Sequence, residues 1–87
     1  MSDQQQADSY LYLEKRHQVQ NRMRFYVLHV TQTLFGDWAL VCEWGRIGSP
    51  GVVRSWAYPT RDEARVAFAR KQSEKIREGY LPLYNPS

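Results

Sequence analysis

The amino-acid sequence predicts an α+β domain: a small curled antiparallel sheet of about four strands with one C-terminal helix packed across it. Three observations predict it. Short runs rich in aromatic and β-branched residues alternate in polarity with period two, as strands do. Gly, Pro and Asp punctuate the gaps between them. The last run is followed by a longer segment with helical start and stop signals. At 87 residues the chain has room for one compact domain and not two. The expected layout is a disordered leader over 1–8, a single domain over 9–83 and a tail over 84–87.

The first strand is Tyr10 to Lys15, and the polar stretch His17 to Arg22, which lacks periodicity, reads as a loop. Met23 to Leu34 reads as a long strand with apolar residues on both faces, which predicts a central strand covered on both sides. Phe35-Gly36-Asp37 supplies a turn, and Trp38 to Arg46 returns as the other arm of a hairpin. On that return strand Trp38, Leu40, Cys42 and Trp44 share one face, and Ala39, Val41 and Glu43 the other. Gly48, Pro50 and Gly51 make a loop into the strand Val52 to Tyr58, where Val52, Arg54, Trp56 and Tyr58 share a side.

Thr60 is a good helix N-cap, and Glu63 three residues on completes a capping box. The helix should run from about Arg61 to Glu78 and stop at Gly79. Asp62 and Glu63 suit its positive end, and Lys75 and Arg77 its negative end. Its apolar stripe reads as Ala64, Phe68 and Ile76, flanked by Ala67 and Ala69. Tyr80 to Leu83 is expected to pack back as a tail.

Composition narrows the function. Twelve Lys and Arg against nine Asp and Glu give a net charge of +3. A basic balance favours a phosphate-bearing partner, although many small domains carry such a charge for solubility alone. Three Trp, six Tyr and three Phe supply large buried areas to a small core, and rings that can stack. The single cysteine, Cys42, excludes an internal disulfide and a Cys-rich zinc site. His17, His29 and Cys42 have no metal-ligand spacing, and His29 alternates with apolar residues as a partly buried strand residue does. No apolar run reaches the ~20 residues of a membrane span. The leader is neither a secretory signal nor a transit peptide, so a cytoplasmic chain is expected. No nucleophile–base pair, phosphate loop or paired carboxylates stand out, so neither an enzyme, nor a cofactor, nor a small-molecule substrate is expected.

The most specific stretch is Glu43-Trp44-Gly45-Arg46-Ile47-Gly48 at the end of a strand. It resembles the Trp-Gly-Arg motif of the WGR domain. Asn21 to Tyr26, with a basic residue before an aromatic pair, is similar to the strand that opens the family's sheet. Tyr58 to Tyr80, with Glu63-Ala64, Phe68, Lys75 and Gly79-Tyr80, is similar to its final helix. The resemblance covers about residues 10 to 80 and suggests a free-standing bacterial-type member. It implies a sheet-plus-helix module of the kind found in DNA-dependent poly(ADP-ribose) polymerases, where the domain binds broken DNA near a strand end. By match of position, Trp44 would pack on a terminal sugar. Arg46 would inherit a coupling role toward neighbouring domains, for which this chain has no room.

The residues themselves leave two readings at several positions. Trp44, in line with Trp38, Leu40 and Cys42, reads as core by spacing and as a stacking ring by resemblance. Gly45 reads as a bulge or as room for a nucleic-acid backbone. Arg46 can clamp a phosphate or pair with Glu43 or Asp37. Arg24, Arg54, Lys71 and Lys75 are further phosphate candidates. For each of these four the alternative is a solvated face; Lys71 and Lys75 lie four apart on one helix face, and Glu74 and Glu78 dilute the patch. The expected function is therefore binding of DNA without base specificity, at ends or nicks, with RNA as the alternative nucleic acid. A protein-interaction module is the competing class.

Overall fold

The structure is a computed structural model that describes residues 9–17 and 22–83; the predicted leader and most of the polar loop after the first strand lie outside the described residues. The elements run β1 (Ser9–His17), β2 (Arg22–Gln32), β3 (Trp38–Arg46), β4 (Val52–Tyr58), α1 (Arg61–Arg77) and β5 (Leu81–Pro82). All strands join one curled antiparallel sheet in the order β4-β3-β2-β1-β5. The helix α1 lies across β2 and β3 and, more lightly, β4. The α+β class expected from the alternation holds.

The ends of β1 and β2 differ from the expectation. The predicted loop begins and ends inside strands, because His17 and Arg22 pair with each other. β2 stops at Gln32 rather than Leu34. There Thr33 and Asp37 close a tight turn, with Thr33 N–H donating to Asp37 O at 2.8 Å and Gly36 N–H to Thr33 O at 3.1 Å. The Thr33 hydroxyl also bonds the Asp37 carboxylate. The turn holds Leu34 and Phe35 in solvent, 100% and 94% exposed.

Alternation decides the core. The even-numbered residues of β2, β3 and β4 and the odd-numbered ones of β1 point toward α1, and the cross-strand register keeps them in phase. Leu13, Tyr26, Leu28, Val30, Leu40 and Cys42 are buried there under Ala64, with Trp38, Trp44, Tyr58, Ala67 and Phe68 packed around them. β2 is central, as its apolar content suggests. The expectation that it is covered on both sides does not hold among the described residues. The helix covers one face only. On the other face Phe25, Val27 and His29 are half-buried by their neighbours in the sheet. There Tyr12 and Phe25 lie parallel with ring centroids 6.4 Å apart, and burial lowers the His29 pKa.

The helix starts and stops where its caps require. Thr60 is extended, and its hydroxyl accepts from Glu63 N–H at 3.1 Å. At the other end Gly79 takes φ +105°, a left-handed value that glycine adopts without strain. Gly79 N–H bonds Ile76 O and Tyr80 N–H bonds Lys75 O, both at 3.0 Å, a Schellman closure. That reversal drives Tyr80 back into the core and lays Leu81–Pro82 beside β1, a fifth strand that the sequence presents only as a tail. The predicted apolar stripe needs correction. Ala64, Ala67 and Phe68 face the sheet, but Ile76 is 41% exposed and Ala69 is exposed. The inner face continues instead through Lys71 and Lys75, whose side chains keep only 25% and 16% of their exposure.

Candidate nucleic-acid interface

Where β2 begins and β3 ends, residues of β1, β2, β3, β4 and α1 line a cleft of about 680 Å³. Its floor is aromatic. Tyr26 and Trp44 are cross-strand partners, and their rings stack at 5.4 Å with 7° between planes. Tyr80 meets Tyr26 edge-on at 5.8 Å. Trp56 forms the wall on β4. Five cationic side chains surround these rings: Lys15 from β1, Arg24 from β2, Arg54 from β4, and Lys71 and Lys75 from α1.

The lysines are not dispersed in solvent. Lys75 Nζ sits 4.6 Å above the Tyr26 ring, Lys71 Nζ 5.8 Å above Trp56, and Lys15 Nζ 5.5 Å above Tyr80. Each ring face attracts its ammonium. Glu74 and Glu78 hold the helix lysines from the side, at 3.3 Å to Lys71 and 3.1 Å to Lys75. Exposed ion pairs of this kind contribute about 1 kcal/mol or less, so a phosphate can displace them. Burial pushes the Tyr26 phenol well above its ordinary range, helped by Cys42 beside it, so the ring stays neutral across the physiological range. Cys42 is buried, and its thiol is also pushed up, mainly by burial.

Of the six residues expected to bind, Trp44, Arg24, Arg54, Lys71 and Lys75 line this one cleft. Lys71 and Lys75 are half-buried, each near a ring and each paired with a glutamate. Trp44 is half-buried, packed on the core cluster and stacked on Tyr26, and it lines the cleft. Arg46 is exposed at the end of β3 and does not line the cleft. It stands directly across from Arg24 in the register, and opposed like charges are unfavourable until an anion lies between them. Pairing with Glu43 or Asp37 does not occur. Glu43 points to the other face, and Asp37 lies beyond the far end of β3, bonded to Thr33.

Lys15, Tyr26, Trp56 and Tyr80 were not among the expected binding residues. Lys15 is in phase with Leu11 and Leu13, the one signal that could have placed it on the helix-covered side. Nothing in the sequence brings Tyr80 to the cleft, because the Schellman reversal puts it there.

Gly45 fills neither role expected of it. The β3 register runs through it without a bulge, and it lies on the face away from the cleft. What it admits is the chain itself: a Cβ there would stand 3.2 Å from the Gly51 Cα. Gly51 is tighter still, with the Phe25 ring and the Trp44 carbonyl oxygen each 2.9 Å from its Cβ position. A backbone oxygen cannot step aside, so Gly51→Ala should destabilise the fold by about 1–3 kcal/mol, as overpacking does. A thermal melt followed by circular dichroism should shift down by about 4–8 °C per kcal/mol.

Among the described residues no His, Cys, Asp and Glu side chains gather where they could hold a metal ion, and no helix is long and apolar enough to cross a membrane. A family model described as the WGR domain matches residues 9–86. An uncharacterized protein, y4dW, of Sinorhizobium fredii (strain NBRC 101917 / NGR234) is 32% identical over 72 residues. That match covers 83% of this chain and 35% of the relative, so the chain spans about a third of that protein's length. No solved structure gives a significant match.

Proposed function

The chain belongs to the WGR family, and on that premise we propose that it is a non-catalytic module that binds DNA without base specificity, favouring ends and nicks. WGR domains are a nucleic-acid-binding module of poly(ADP-ribose) polymerases. The observation that carries the reading to this chain is the cleft, where five cations surround the Tyr26, Trp44, Trp56 and Tyr80 rings. Cations neutralise phosphates without reading sequence. Rings accept any base or sugar face, so they add affinity without base preference. A continuous duplex keeps its base faces covered by stacking. An end or a nick uncovers one, together with a terminal sugar, and Trp44 on the cleft floor offers a partner for it.

The test is fluorescence anisotropy on a labelled nicked duplex at two salt concentrations, with intact duplex as competitor. Binding should weaken steeply with salt and resist the intact competitor. Trp44→Ala, with folding verified by circular dichroism, should weaken nick binding by about 1–3 kcal/mol, or roughly 5- to 150-fold. Unchanged affinity in that folded variant would remove the stacking role. Absence of binding at low salt would leave a protein-interaction module as the better account.

A further inference from the structure

The sheet has two edges, and they are built differently. At one, β5 is two residues long and contains Pro82, which blunts further pairing. At the other, β4 is seven residues long, pairs on one side only, and keeps an unbroken register with β3 from Val52 to Tyr58. It has no proline and no bulge, and Arg54 is its single charge. Six of its seven residues are exposed. Unbroken edges with so few charges present a row of backbone donors and acceptors that invite another strand.

The strand's own sequence identifies that strand. We propose that two copies of this chain pair through β4, antiparallel about a two-fold axis at Ser55, and extend the sheet across both. Only an axis at Ser55 pairs all seven residues. It sets Val52 against Tyr58, Val53 against Ala57 and Arg54 against Trp56, each twice. Two pair types are apolar with apolar, and the third is a guanidinium beside an indole, a favourable cross-strand pair. An axis one residue earlier would oppose the two Arg54 side chains.

The surface beside β4 fits the same axis. Between β4 and α1 runs a groove of about 630 Å³ floored by Leu40, Trp56, Tyr58, Val66 and Ala67. Asp62 and Glu63 lie on the helix at one end, and Arg70 and Lys71, with Glu74 beside them, lie further along it. A two-fold axis at Ser55 sets two such grooves side by side in opposite directions. The acidic end of one then points toward Arg70 and Lys71 of the other. Such an interface is isologous and closes at two copies. This inference does not rest on the nucleic-acid reading.

Light scattering across a dilution series tests it, with no nucleic acid present. The molar mass should rise from that of one chain, 10.3 kDa, toward twice that value as concentration increases. Ser55→Lys opposes two ammonium groups on the axis. It should raise the dimer dissociation constant by up to about fivefold while leaving the dilute-solution melt unchanged, because Ser55 is exposed. Ser55→Cys should oxidise to a disulfide-linked dimer much faster than Ser49→Cys, a control on an exposed turn; buried Cys42 stays silent. A chain that remains monomeric at the highest concentration overturns the proposal. So does a dimer that survives Ser55→Lys and cross-links no faster through position 55 than through 49. Uptake of a foreign extended peptide on β4 by a monomeric chain also overturns it.

Discussion

Alanine at both Arg24 and Arg54 should lower the affinity for nicked DNA by at least about a hundredfold. Each guanidinium can donate charge-assisted hydrogen bonds to a phosphate, worth about 1.5–3 kcal/mol apiece. The salt response should change with the affinity. If the five cations of the cleft each neutralise one phosphate, log K should fall against log salt with a slope of about −4.5, and of about −2.7 in the double variant. Both side chains are exposed, so the melting temperature should stay within about 4 °C of the parent. Removing Arg24 also relieves its opposition to Arg46. Titration by anisotropy at several salt concentrations checks both quantities. An unchanged slope would show that the cleft does not meet the backbone.

The largest effect on stability belongs to Leu28. It is fully buried on the central strand, between Leu11 on β1 and Cys42 on β3, within the cluster that Ala64 of the helix closes. Leu28→Ala removes its contacts and leaves a cavity that a sheet pinned on both sides cannot collapse. A cost of about 2–5 kcal/mol is expected, against a total stability of roughly 5–15 kcal/mol for a domain. Denaturant unfolding should show the midpoint falling with little change in slope. A loss below about 1 kcal/mol would mean that the helix does not pack on the sheet as described.

The sequence reveals the strands more completely than it reveals the cleft. β3 and β4 are legible to the residue because period-two alternation is local and both faces differ in polarity. The same alternation correctly puts Trp38, Leu40, Cys42 and Trp44 together, and Arg54 with Trp56. The helix is legible in its ends, where Thr60 and Gly79 act through their own backbone neighbours, but not in its phase. Ile76 is more apolar than Lys71 or Lys75, so a hydrophobic count turns it inward. The folded chain turns the lysines inward instead, because their stems cover the sheet while their ammonium groups reach Tyr26 and Trp56. β5 is invisible for a different reason. Two residues, one of them proline, carry no strand signal, and only the pairing with Leu13 and Glu14 makes them one. Arg24 and Arg54 sit far apart in sequence, on strands either side of β3, and only the folded sheet puts both on the lining of one cleft.

The pairing of β1 with β5 also bears on how the chain emerges from a ribosome. Leu13 and Pro82 are cross-strand partners, and Tyr80 belongs to the same core as Leu13. At 5–20 residues per second, synthesis leaves several seconds between the appearance of one partner and the other. During that interval the nascent chain can form the β1–β2 and β2–β3 hairpins, while their common apolar face still lacks the helix and Tyr80. That face is a natural landing place for a holding chaperone, whose release would coincide with delivery of the last turn of α1.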